Sequence, residues 1–418
     1  MAVLENSRLE EARAQTLALV EGLSDADLER VHSPLMSPLV WDLGHIATFE
    51  DLWLAHRHGG LPLLRPDLLE VYDAFETPRS RRGELPYLRR AEALGYLDAV
   101  RERVAELDLS DEEPLAELVV RHERQHAETM LQTLGLAALP DWCPGACLAG
   151  SPDGQPSSGL ELIELPATRF PLGAAGDGFA YDNELPQHEV EVEAFAIGRV
   201  AVNNRDWLAF IDDGGYRRSQ WWSSAGWEWR RGEDIQRPLR WLDGGRERRL
   251  TGVGELHLDS PVVHVSHYEA DAFARARGLR LPTEVEWELA ATYDHAGAVK
   301  RSWPWGEHRP SPHEANLIES ANFAALEVGA LCAGAAPCGA LGMIGDVWEW
   351  TSSEFGGYPG FRAHPYREYS EVFFGGGFPV LRGGSFATSA LVATPTFRNW
   401  DLPSRRQIFA GLRVAADA

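Results

Sequence analysis

The sequence predicts a multidomain α and α+β protein: a four-helix bundle followed by a mixed domain rich in irregular structure. Three observations predict it. The first 135 residues or so carry helical periodicity, residues 140–156 shift to Pro, Gly and Ser, and the remainder alternates short β-rich segments with turns. At 418 residues the chain also exceeds the size at which a single core stops growing, so two domains are expected.

In the N-terminal third, apolar positions recur at three and four from Leu9 to Leu23. A second helix is expected to start at Ser37, a capping residue, with Pro38 in its first turn, and to run through Leu39, Leu43, Ile46 and Trp53. A third covers about 91–107 and a fourth about 113–134. Four such helices suit an antiparallel bundle. Between the second and third, residues 59–87 carry Pro62, Pro66, Pro78 and Pro86, a long loop of the kind that often has a functional role. The boundaries expected are a bundle over 1–138, a linker over 139–160 and a second domain over 161–418. Within that domain HEVEVEAFAI (188–197) reads as strand, and helices are expected near 204–212 and 267–277. The tail, with GDVWEWT, LRGGSF and GLRVA, is dense in Gly and aromatics, and Trp287, Trp348 and Trp350 read as core.

Net charge is −24, a surface that repels phosphate backbones and argues against nucleic-acid partners. No apolar run approaches membrane-spanning length, and the N-terminus lacks the basic and apolar regions of a signal peptide, so a cytoplasmic location is expected. Cys143, Cys147, Cys332 and Cys338 read as reduced thiols; three residues separate the first two, one more than a zinc knuckle has.

The chemistry concentrates on three histidines. His122 and His126, four apart on a helix, project from one face whose apolar stripe includes Leu115, Leu118, Val119 and Met130. Two imidazoles in such a stripe point to a shared metal. His45 lies four residues from both Trp41 and Phe49, so it also faces inward, either as a third ligand or as a hydrogen-bonded core residue. His122–His126 also fits H-E-x-x-H, with Glu123 as the general base of a zinc protease. The downstream ligand that such proteases need is missing, because the chain soon leaves for the Pro-rich linker.

WDLGH (41–45) with HERQHAETM (122–130) resembles the DinB-like bundle of the ergothioneine-pathway sulfoxide synthases. RLPTEVEWELAA (280–291), GDVWEWT (345–351), LRGGSF (381–386) and GLRVA (411–415) resemble the formylglycine-generating-enzyme domain, a C-type-lectin-like fold. The resemblance implies an iron(II) enzyme that uses O₂ to couple γ-glutamylcysteine to C2 of the hercynine imidazole, giving the sulfoxide. It implies His45, His122 and His126 as iron ligands, with open positions for thiolate, O₂ and substrate. It places the catalytic tyrosine at Tyr366 in PYREYSEVFF (365–374), whose phenol can supply a proton or hydrogen atom. Gln125, Tyr369, Asn399 and Trp400 match positions lining the hercynine pocket, where aromatic faces suit a trimethylammonium. Asp401 and Arg405 match positions holding the amine and carboxylates of γ-glutamylcysteine, joined by Arg79 and Arg82 of the long loop. Glu128, off the His122/His126 face, reads as a packing residue or as support for the ligands. Cys332 and Cys338 lie outside the segment that carries reactive cysteines in formylglycine-generating enzymes, so that chemistry is not expected.

Three alternatives stand beside this reading. One is a same-fold paralogue taking cysteine, or a selenosugar in selenoneine synthesis. The others are a non-redox DinB-type metal-dependent thiol transferase and a lectin-like binding module without catalysis.

Overall fold

The computed structural model describes residues 2–109, 113–139, 142–144, 158–176 and 178–418. The chain forms two compact units, Met1–Pro144 and Gly145–Ala418. Most of the expected linker, with Cys147, lies outside the described residues.

The first unit contains α1 (Ala2–Val20), a short α2 (Asp25–Glu29), α3 (Leu39–Glu50), α4 (Arg90–Val104) and α5 (Glu113–Ala137). α1 packs along α5, and α3 lies against both α4 and α5. Every residue of α3 is buried, as its nearly continuous apolar sequence requires. The start of α3 differs from the sequence expectation. Pro38 itself is the N-cap, without a side-chain hydrogen bond, and Ser37 Oγ accepts instead from Arg82 Nη1 at 2.9 Å. Beyond Glu50 the helix loosens into a π-helix over Asp51–His58. There the buried Asp51 accepts from Tyr96 Oη and Arg103 Nη1, each at 3.0 Å.

A buried ion network ties the long helices together. Arg13 on α1 donates to Glu50 on α3 (2.7 Å) and Glu123 on α5 (2.9 Å), and Arg101 on α4 donates to Glu50 at 2.8 Å. The loop after α3 is irregular apart from short 3₁₀ turns at Pro66–Leu68 and Arg79–Glu84. It is pinned to α3 by Trp41 Nε1 donating to Val71 O at 3.1 Å.

In the second unit the strands are β1 (Leu162–Leu165), β2 (Thr168–Leu172), β3 (His188–Val192), β4 (Phe195–Gly198), β5 (Trp241–Leu242), β6 (Arg246–Arg249), β7 (Gly252–Glu255), β8 (Tyr293–Asp294), β9 (Val299–Lys300), β10 (Trp348–Glu354), β11 (Pro379–Arg382), β12 (Asn399–Trp400), β13 (Ala410–Leu412) and β14 (Ala415–Asp417). Two small sheets, β12-β11-β10-β13 and β1-β4-β14, carry the framework. Only the β10–β13 pairing in them is parallel. Phe170, Phe195, Ile197 and Trp287 sit in the main core.

Helices α6 (Asn204–Asp212) and α8 (His267–Ala276) fall where the periodicity put them; α7 (Ser224–Gly232) and α9 (Glu284–Thr292) were not expected. Eight of the nine residues of α9 are buried and the ninth, Val285, is half-buried, so no solvent-facing polar side marks it as a helix. Its start was readable as a capping box, in which Thr283 and Glu286 satisfy each other's backbone N–H groups.

The Gly- and aromatic-rich motifs meet in this core through buried charges. Arg382 pairs with Glu288 at 2.6 Å, Arg398 with Glu284 at 2.7 Å and Arg413 with Glu349 at 2.9 Å. Trp287 Nε1 donates to Glu349 at 2.7 Å, and Trp287, Trp348 and Trp350 are all buried. In LRGGSF, Gly383 has φ +93°, and a Cβ there would press on Met343 O.

Candidate metal centre

His45 from α3 and His122 and His126 from α5 converge, with one ring nitrogen of each within 4.8 Å of the others. Each ring is held by something different. His45 Nδ1 donates to Tyr72 O at 2.7 Å, which turns its Nε2 toward the other two rings. Trp41 stacks on His45 with centroids 4.9 Å apart. His126 Nδ1 donates to Asp42 Oδ1 at 3.0 Å. His122 stacks on Phe49 at 3.7 Å with the rings nearly parallel.

Four of the five letters of WDLGH thereby acquire a job. Trp41 backs His45, Asp42 holds His126, and Gly44 leaves room for the Tyr72 ring, whose backbone carbonyl orients His45.

The site fits a divalent transition metal. Burial, then the neighbouring imidazole of His126, hold His45 and His122 well below the usual histidine range, so both are neutral donors. The Nε2 atoms of His45 and His122 are 3.0 Å apart. Two nitrogens bound at about 2 Å in neighbouring positions of one ion lie about 3 Å apart. Among the described residues this is the cluster of potential ligands with such geometry.

The protease alternative fails on Glu123. Its carboxylate is 1% exposed and accepts from Arg13 Nε, so it is a strut of the bundle and not a base beside the metal. Glu128 is likewise buried.

Of the residues expected to bind substrate in the first unit, Gln125 is half-buried on α5, one residue before His126. Arg79 is half-buried, with Nη1 3.9 Å from Met36 Sδ. Arg82 is buried, over the Trp41 ring at 3.9 Å, and donates to Thr77 O, Ser37 Oγ and Ala74 O. Burial, then Arg79, lower its guanidinium to about 10. Two of its five N–H donors thus brace the loop itself, and a third ties it to Ser37 before α3.

In the second unit the expected residues gather in one neighbourhood. Tyr366 meets Tyr369 edge-on at 6.1 Å, and Tyr369 stacks on Tyr181 at 4.6 Å and faces Trp400 at 6.3 Å. Trp400 stacks in turn on Phe355 at 3.9 Å. Asn399 Oδ1 accepts from Trp400 N, and Asp401 forms an ion pair with Arg405 at 3.4 Å. Arg405 Nε and Nη1 are buried without hydrogen-bond partners. Sequence reasoning missed Tyr181 and Phe355, which come from distant segments, and it missed Asp42. The last had a signal: an acid three residues before His45, on the same buried face.

A DinB-type bundle carrying three convergent histidines, followed by a sulfatase-modifying-factor-type domain, defines the class. The DinB superfamily matches residues 8–130, and the sulfatase-modifying factor enzyme 1-like domain matches 149–418. The hercynine oxygenase of Mycolicibacterium thermoresistibile is 46% identical, over 98% of this chain and 94% of its own length. That of Mycobacterium tuberculosis is 46% identical over 98% of this chain and 97% of its own. The formylglycine-generating enzyme of Streptomyces coelicolor is 29% identical over 58% of this chain and 84% of its own. The chain belongs to the hercynine oxygenase family.

Proposed function

We propose that the three-histidine centre holds iron(II) and that, with O₂, the enzyme joins the sulfur of γ-glutamylcysteine to C2 of the hercynine imidazole as a sulfoxide. Sulfoxide synthesis for ergothioneine is the family's activity, and identity runs through both domains. The observation that carries the reading is the convergence of His45, His122 and His126 in a chain of this family.

Bound iron would supply the activation of O₂ and a seat for the thiolate sulfur. The protein's own groups do the rest. His45, His122 and His126 are the ligands, each held at its Nδ1 or ring face. Tyr366 is the catalytic phenol, a weak acid that passes a proton or hydrogen atom during oxygen chemistry. Tyr369 and Trp400, with Asn399 and Gln125, receive hercynine; the rings offer π faces to its trimethylammonium. Asp401 and Arg405 receive the amine and a carboxylate of the dipeptide, with Arg79 and Arg82 as further partners for its carboxylates. The Asp401–Arg405 pair supports this assignment, because a sugar donor would use neither charge.

The test is anaerobic loading with Fe(II), then O₂ uptake and product mass with hercynine plus γ-glutamylcysteine, cysteine or a selenosugar, side by side. The dipeptide should give the sulfoxide and the fastest O₂ uptake. No sulfoxide with any donor would sink the assignment, and turnover with zinc in the absence of oxygen would move the protein to the thiol transferases.

A further inference from the structure

Asp42 stands in the segment that supplies His45, yet it holds a different ligand. It is fully buried in α3, and its Oδ1 accepts from Nδ1 of His126 on α5 at 3.0 Å. Its Oδ2 is buried without a hydrogen-bond partner. We infer that Asp42 is the positioning residue of the metal centre: it fixes His126 with the proton on Nδ1 and Nε2 toward the ion. The inference deepens the reading of the triad as a metal site and rests on it.

A carboxylate only accepts, so the shared proton sits on His126 and the Nε2 lone pair is left for the metal. His45 reaches the same tautomer through the neutral carbonyl of Tyr72. The two ligands are therefore unequal, because a carboxylate partner makes an imidazole a stronger donor than a carbonyl does.

Charge points the same way. A buried carboxylate with one oxygen unbonded is costly unless a positive charge compensates it. Arg82 feels Asp42 electrostatically, but the hydrogen bonds of its guanidinium run to Thr77 O, Ser37 Oγ and Ala74 O. A divalent ion one imidazole ring away is the counter-charge that this placement suits.

The experiment titrates metal-free wild type, D42N and D42L with Co(II) against a chromophoric chelator, and reads histidine ring tautomers by ¹⁵N NMR. D42N keeps an acceptor but loses the charge, and it should weaken Co(II) binding about tenfold; D42L loses both, and should weaken it up to about a hundredfold. Metal-free melting should stay within a few degrees. His126 should carry its proton on Nδ1 in the wild type and lose that single tautomer in D42L. Wild-type Co(II) affinity in both variants overturns the inference, as does a wild-type His126 protonated on Nε2. A metal-free D42N that does not fold overturns it too, by assigning Asp42 to the fold. If the wild type takes up no Co(II), the metal reading itself fails, and the tautomer still decides the Asp42–His126 contact.

Discussion

Gly44 carries no side chain, and a Cβ built there would lie inside the hydroxyl and Cζ of Tyr72. Tyr72 is 2% exposed and its hydroxyl accepts from Leu88 N, so the ring has little room to retreat. Its backbone carbonyl is also the partner of His45 Nδ1. G44A should therefore act on the metal rather than only on stability. Overpacking of this kind costs about 1–3 kcal/mol, and a loosened His45 partner should weaken metal binding by roughly tenfold. Chelator competition on the folded variant checks it; unchanged affinity would mean that Tyr72 moves without carrying its carbonyl along. Tyr366 poses the opposite case, a residue whose loss should leave the metal alone. Y366F should bind Co(II) as the wild type does, while sulfoxide formation falls by about 10²–10⁴, the usual worth of a positioned proton donor. Product analysis at matched metal occupancy separates the two, and a Y366F enzyme making sulfoxide at the wild-type rate would remove Tyr366 from the mechanism.

The long helices are joined by charges as well as by apolar packing. Arg13 alone bridges α1 to both Glu50 on α3 and Glu123 on α5. Removing one member of a buried network leaves uncompensated charge, at a cost of about 3–5 kcal/mol. R13L should lower the urea midpoint accordingly, and the double variant R13L/E123L should recover part of the loss. A single variant as stable as the wild type would show that Arg101 suffices for both carboxylates. Glu123 also shows where sequence reading stops. Its place in H-E-x-x-H suggested a base, and only the position of Arg13, 110 residues earlier, shows that it is a strut. The two helical histidines were legible because spacing of four fixes a shared face. His45 was legible as inward-facing, but its convergence with them depends on how α3 packs on α5, which periodicity does not encode. The fold followed the same division. Helices such as α6 and α8 announced themselves, whereas α9, buried apart from the half-buried Val285, had only its capping box to show. Asp42 was overlooked because a lone acid in an apolar helix means little until its partner is seen.

Across the whole molecule, acidic residues outnumber basic ones by 63 to 39, so titration of carboxylates governs how stability depends on pH. Glu288 is fully buried among the core's ion pairs. Burial pushes its carboxyl up, and Lys300 and Arg382 outweigh burial and bring it down to about 2. The folded-state value thus lies below the ordinary carboxylate value, and between the two the unfolded chain binds more protons than the folded one. The resulting stability is present above pH 4.5 or so and is lost as pH falls through about 2, amounting to about 3 kcal/mol. Relief of surface repulsion on acidification acts in the other direction, so the wild-type curve alone shows only a net slope. Comparison with E288Q isolates the buried group. At pH 7 the variant should be several kcal/mol less stable, because Lys300 and Arg382 keep their charges without that partner. Its stability should fall less steeply than the wild type's below pH 4.5, and the difference between them should shrink as pH approaches 2. Denaturant melts at pH 7, 5, 4 and 3 give the two curves. If they run parallel across that range, Glu288 is not held low in the folded state, and the Arg382–Glu288 pair in the core contributes packing without linkage.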